Sequence, residues 1–185
     1  MKANKPVLAS LAAVVGMAAA MMLGDFIPAK EGVVLSGYVD PVGIPTKCMG
    51  DTRNVIVGKQ YTLDECYKSM ESALINHAKP VLICTPVLKD HPEALTAAVS
   101  FAYNFGTKAY CDSEIAFYFN SGNYKKACER FNTNAYGELQ WVYAGCESKQ
   151  VHGKTVRVCT KLNGLVTRRA EERALCEKSF NLARP

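Results

Sequence analysis

Three hydrophobic patterns follow one another along the chain. The first is an uncharged run of 19 residues, positions 6–24, preceded by Lys2 and Lys5 and closed by Asp25; its length predicts a single hydrophobic helix. Residues 33–57 favour strands and turns, because Gly37, the Asp40-Pro-Val-Gly sequence and Gly50-Asp51 break any helix there. From Thr62 onward the period becomes helical. Thr62-Leu-Asp-Glu65 is a capping-box sequence, and Leu63, Cys66, Tyr67, Met70 and Leu74 follow at helical spacing. A second amphipathic helix is predicted in residues 91–106, with Leu95, Ala98, Val99, Ala102 and Phe105 on one stripe and Gly106 as its stop. Shorter helices are predicted over 113–119 and 124–131, then a loop-rich stretch over 147–159. A final helix over 163–178 would carry Arg168, Arg169, Glu171, Glu172 and Arg173 on its polar face. The order predicts an α+β fold: a hydrophobic helix, a small sheet lobe in the N-terminal third, and a mainly helical remainder.

Composition narrows the class. Charged residues are 21% and hydrophobic ones 49% of the 185 positions, as in ordinary soluble domains. The net charge of +5 includes Lys2 and Lys5, and the remaining basic residues are dispersed, which argues against nucleic acid as a partner. Eight cysteines stand at 48, 66, 84, 111, 128, 146, 159 and 176. No C-x-x-C pair occurs, and His77, His91 and His152 are the only histidines, so a zinc site is poorly supported. An even count behind an export segment favours disulfides, whose pairing the sequence leaves open.

The uncharged run itself has three readings. Length alone allows a permanent anchor, and Ala18-Ala19-Ala20 has the small-x-small form of a signal-peptide cleavage site. The third reading is an anchor weak enough to leave the membrane intact, because nine of the 19 residues are Ala, Gly or Ser. Lysines on the N-terminal side place that end in the cytoplasm and the rest of the chain outside. Small residues at Ala12, Gly16, Ala20 and Gly24 recur at a spacing that lets a helix pack closely on a partner.

Candidate chemistry begins soon after this run. Glu31, Asp40 and Thr46 lie in a segment otherwise apolar or built of Gly and Pro. Glycosidic cleavage needs one carboxyl that donates a proton to the leaving oxygen and a second carboxylate on the other face of the sugar. An apolar setting from Val33, Val34 and Leu35 would favour a protonated Glu31, and a hydroxyl beside Asp40 would hold a water. By spacing alone such a pair is not distinguished from solvated surface charges.

The arrangement Glu31, eight residues, Asp40, five residues, Thr46 resembles the catalytic signature of the phage lysozymes of glycoside hydrolase family 24. "TKCMGDT" is similar to that family's strand and turn, "ALTAAVSFAYNFGTKAY" to its central helix, and "WVYAG" and "LNGLVTRRAEERALC" to its C-terminal blocks. The resemblance implies a lysozyme-like fold and a phage endolysin: a muramidase that hydrolyses the β-1,4 bond between N-acetylmuramic acid and N-acetylglucosamine in peptidoglycan, without metal or organic cofactor. It implies Glu31 as general acid, Asp40 as its partner, Thr46 as the residue that positions water, generally with inversion, and Tyr103 and Asn104 as sugar contacts. The lysines and the Ala-rich run resemble the signal-anchor-release subclass. That subclass implies export by the host secretion machinery, residues 1–24 as anchor and 25–185 as a monomeric catalytic domain. The enzyme would wait in the periplasm of a Gram-negative host, tethered to the inner membrane through residues 6–24, and act together with a holin or pinholin. The six residues between Gly24 and Glu31 would form a tether of at most about 22 Å. Two departures stand out: Asp51 occupies the place of the family's usual His, and Cys48 and Met49 replace its Gly and Tyr. They support an alternative, a membrane-anchored peptidoglycan-binding protein with impaired catalysis. Cys48, two residues from Thr46, would form either a permanent structural disulfide or a regulatory one.

Overall fold

The computed structural model describes residues 8–40, 43–151 and 154–182. The predicted single hydrophobic helix is replaced by two. Helix α1 (Ala9–Val15) ends at Gly16, whose φ of +82° breaks the helical path, and α2 (Met17–Glu31) begins immediately after it. The chain folds back there, and Leu8 Cδ1 lies 3.0 Å from where a Cβ on Gly24 would stand. Gly24 is therefore the close-approach position in this pair. Leu8, Leu11, Val15, Ala19, Ala20, Leu23 and Ile27 are all buried, while Met17 and Met21 face outward. α1 packs on α2 and α3, and α2 also packs on α4. Among the described residues no helix is long and apolar enough to cross a membrane. The expected tether is helical too, since residues 25–30 lie inside α2.

A short antiparallel pair follows, β1 (Val34–Val39) and β2 (Pro45–Cys48), with Tyr38 opposite Thr46 and Val34 opposite Cys48. Residues 56–61 line the other side of β1: Gly37 donates to the Lys59 carbonyl, and Tyr61 to that of Leu35. This is the expected small sheet lobe. Helix α3 (Leu63–Cys84) starts at the predicted capping box: the Glu65 N–H donates to Thr62 Oγ1 at 3.2 Å, and the Thr62 N–H to Glu65 Oε2 at 2.7 Å. One apolar face of α3 (Cys66, Tyr67, Met70, Leu74, Ala78, Val81) meets the core. Its Glu71 accepts the N–H of Leu11 at 3.0 Å, so a polar bond as well as apolar packing holds α1.

After a 3-10 turn (Pro86–Asp90) comes α4 (Pro92–Phe105), the central helix. It is buried all round from Ala94 to Ala102, Thr96 and Ser100 included, because α2, α3 and α8 surround it. The short helices α5 (Thr107–Cys111), α6 (Glu114–Asn120) and α7 (Tyr124–Glu129) complete this lobe. The predicted loop over 147–159 is instead a hairpin, β3 (Tyr143–Val151) with β4 (Lys154–Lys161), largely exposed and closed by the Cys146–Cys159 disulfide. Helix α8 (Asn163–Ser179) returns across α4. Three further disulfides, Cys48–Cys66, Cys84–Cys111 and Cys128–Cys176, use the remaining cysteines. The architecture is α+β with two small sheets.

Candidate active site

Glu31 is the last residue of α2, which Gly32 ends at φ +72°. The side chain is 22% exposed, and its Oε1 accepts from Arg168 Nη1 at 2.5 Å. Oε2 lies 3.8 Å from the position a Cβ on Gly50 would take. Gly50, at φ +81° in the turn after β2, thus satisfies a left-handed backbone and leaves room beside the carboxylate. The hairpin brings Asp40 and Thr46 together through Ile44. Asp40 Oδ1 accepts the Ile44 N–H at 2.8 Å, and the buried Thr46 hydroxyl donates to the Ile44 carbonyl at 3.0 Å. Glu31 reaches the same lobe from the helical side, by way of Gly50.

The apolar setting expected from Val33, Val34 and Leu35 is not built, since all three are exposed. A buried polar network stands behind Glu31 instead. Arg168 connects Glu31 to the Ser100 carbonyl, at 3.1 Å from Nη2, and to Glu172 Oε1, at 3.3 Å from Nε. Glu172 Oε1 also accepts from Ser100 at 2.6 Å and from Arg169 Nη2 at 2.8 Å, whereas Oε2 has no partner among the described residues. Burial pushes the Glu172 carboxyl up to about 6, against the pull of both guanidinium groups. The Arg169 guanidinium lies over the rings of Phe101 and Phe105, 4.8 and 5.1 Å from their centroids. The polar face predicted for the last helix includes Arg168, Arg169 and Glu172, and all three are buried. They dock α8 on α4 by charge and hydrogen bonds where apolar residues would ordinarily serve.

Tyr103 and Asn104 sit at the end of α4. The Tyr103 hydroxyl donates to the Met49 carbonyl at 2.9 Å, which ties the central helix to the turn after β2. Burial, reinforced by the charges of Glu31 and Asp51, holds that hydroxyl far above the usual phenol range. Asn104 is exposed, with Oδ1 3.4 Å from Arg169 Nη2. Asp51 accepts from the Ser69 hydroxyl and from the Arg53 N–H and Nε, at 3.0 and 3.1 Å. Burial raises its carboxyl, but these bonds outweigh it and leave the group below its ordinary value. Cys48 is bonded to Cys66, which fixes β2 to the first turn of α3, and there is no free cysteine. Among the described residues no group of His, Cys, Asp and Glu could hold a metal ion.

Comparisons with known proteins bear on the family and the fold. The family described as Phage lysozyme matches residues 28–172. A SAR-endolysin of Bacteriophage PS119 is 34% identical over 149 residues, covering 79% of this chain and 75% of that protein. Two solved structures share the fold at 21% identity. The muramidase domain of SpmX from Asticaccaulis excentricus has a TM-score of 0.63, covering 87% of this chain and 94% of its own. The active form of the P1 phage endolysin Lyz has a TM-score of 0.62, covering 95% and 96%.

Proposed function

The chain belongs to the phage lysozyme family and is a phage endolysin, a muramidase whose substrate is peptidoglycan, and we propose that Glu31 is its general acid. The observation that carries the assignment is the asymmetric holding of that carboxyl. Arg168 occupies Oε1 from the protein side, while Oε2 lies beside Gly50, where no side chain intervenes. A proton on Oε2 is then the one delivered to the glycosidic oxygen. Asp40 is the second carboxylate, and Thr46, joined to it through Ile44, positions the water on the opposite face of the sugar. Tyr103 and Asn104 contact the glycan at the end of α4.

Departures from the family pattern are absorbed locally, with Asp51 bound by Ser69 and Arg53, and Met49 buried. Neither displaces Glu31, so the impaired-binder alternative loses its support. We assign Cys48 a structural role, since its partner Cys66 is buried and no spare thiol exists for exchange. Residues 6–24 would act first as an anchor in the inner membrane of a Gram-negative host, after export by the secretion machinery. On release the described part of this segment would pack into the fold, and the monomeric enzyme would then act in the periplasm alongside a holin or pinholin. The described part of this segment packs with the remainder of the chain, which favours retention of the segment over its cleavage.

The test is clearing of outer-membrane-permeabilised Gram-negative cells by the full chain, wild type beside Glu31→Gln, with and without reductant. Wild type clears and Glu31→Gln, equally folded, does not; activity in Glu31→Gln would remove the acid from this residue. Reductant lowers clearing only in step with lost fold, and activation by reductant would make Cys48 regulatory.

A further inference from the structure

A pocket of about 270 Å³ opens at Gly50, the residue beside Glu31 Oε2. Gly50, Asp51 and Arg53 line it from the turn after β2, Asn76 and His77 from α3, and Tyr103 from α4. Gly50 also lies beside Glu31 Oε2, which places this opening next to the candidate acid.

Its polar groups are unevenly exposed. The Asp51 side chain is 11% exposed, while that of Arg53 is 49% exposed. Asp51 fixes Arg53 through Nε at 3.1 Å, and Nη2 reaches the Ser69 carbonyl only at 3.5 Å. One edge of a guanidinium whose stem is already oriented is thus left for a ligand. Burial, with the Arg53 charge adding to it, lowers the His77 imidazole below its ordinary value, so near neutral pH it is an uncharged donor and acceptor. Its Nδ1 is 3.1 Å from Thr107 Oγ1. The pocket therefore presents an Arg53 guanidinium oriented by the Asp51 carboxylate, beside neutral amide and imidazole groups.

The sugar rings of peptidoglycan are uncharged, and its anionic, amide-rich part is the peptide carried on the lactyl group of muramic acid. We propose that this pocket is a subsite for that peptide stem, with Arg53 as the carboxylate contact and Asn76 and His77 as contacts for peptide amides. The inference rests on the muramidase reading of Glu31. Asp51 would then be the residue that holds Arg53 in place for this contact.

The experiment compares two substrates of the oxidised full chain: soluble glycan strands bearing tetrapeptide stems, and the same strands stripped of stems by an amidase. Arg53→Gln raises KM about tenfold on stem-bearing strands, as expected for loss of a charged hydrogen bond, and leaves kcat and the stripped strands nearly unchanged. Arg53→Lys, which keeps the charge without the fork, recovers part of the difference. Equal loss on both substrates would reduce Arg53 to a structural role, and no change on either would empty the pocket of this function. A wild type that hydrolyses neither strand would instead overturn the muramidase reading, separately from the subsite.

Discussion

Leu23 tests whether the N-terminal segment belongs to the core of the folded protein. It lies on α2, fully buried, and α2 packs against the central helix α4. Leu23→Ala leaves a cavity that rigid neighbours fill only in part, at a cost of about 2 to 5 kcal/mol. For a chain of this size that lowers Tm by about 4 to 20 °C. Met21, two residues away and 66% exposed, is the internal control: Met21→Ala should stay within about 0.5 kcal/mol. Deletion of residues 1–24 goes further, because it removes Leu8, Leu11, Val15 and Leu23 together. Burial of four such side chains contributes about 6 to 12 kcal/mol as an upper estimate. That is comparable to the whole stability of a typical domain, about 5 to 15 kcal/mol, so the truncated protein should not fold. Thermal and urea unfolding followed by circular dichroism, in oxidising buffer without detergent, gives all three numbers. Equal shifts for Leu23→Ala and Met21→Ala, or a truncated protein as stable as the full chain, would refute the packing.

Glu172 links stability to pH. Its folded carboxyl is raised from 4.5 to about 6, so its contribution is complete below pH 4.5 and is lost as pH rises through about 6. The difference is about 2 kcal/mol, and Glu172→Gln should flatten that part of the curve in urea unfolding; an unchanged pH slope would mean that another group titrates there. The mass of the protein recovered from the periplasm should retain residues 1–20, since cleavage after Ala20 would remove buried Leu11, Val15, Ala19 and Ala20; a mass lower by that peptide would favour a cleaved signal.

The legible parts of the chain are those whose signals are local. The Thr62 capping box, the stripe on α3 and the Gly106 stop act within a few residues, and the structure places helix ends accordingly. Asp40 and Thr46 fall within residues 33–57, where Gly and Pro predict strands and turns for the same local reason, and the structure forms a hairpin there. The break at Gly16 was not, because an uncharged run reads as one helix unless a partner bends it, and that partner is formed by Leu8, Gly24 and α3. The β3–β4 hairpin was hidden because it is largely exposed and lacks the alternation that marks a half-buried strand. Arg168, Arg169 and Glu172 show the opposite failure. Their burial answers Ser100 and Glu31, 68 and 137 residues away from Arg168, which no local pattern reveals. The scarcity of large apolar residues on α8 was the available sign that its inner face had to be polar.

If the N-terminal segment passes from lipid to protein as proposed, Gly24 and Leu8 show what that passage would ask of it. As one straight helix, 19 residues reach about 28 Å, close to the hydrocarbon thickness of a bilayer. With the chain folded at Gly16, the Leu8, Leu11, Val15 and Leu23 side chains are buried in protein instead, and a Cβ on Gly24 would press on Leu8 Cδ1 at 3.0 Å. More leucine would bind lipid better, yet it would overfill that contact and hold the segment where it started. On the proposed anchoring and release, the Ala and Gly content of the segment would set a balance between entering lipid and packing back into the fold.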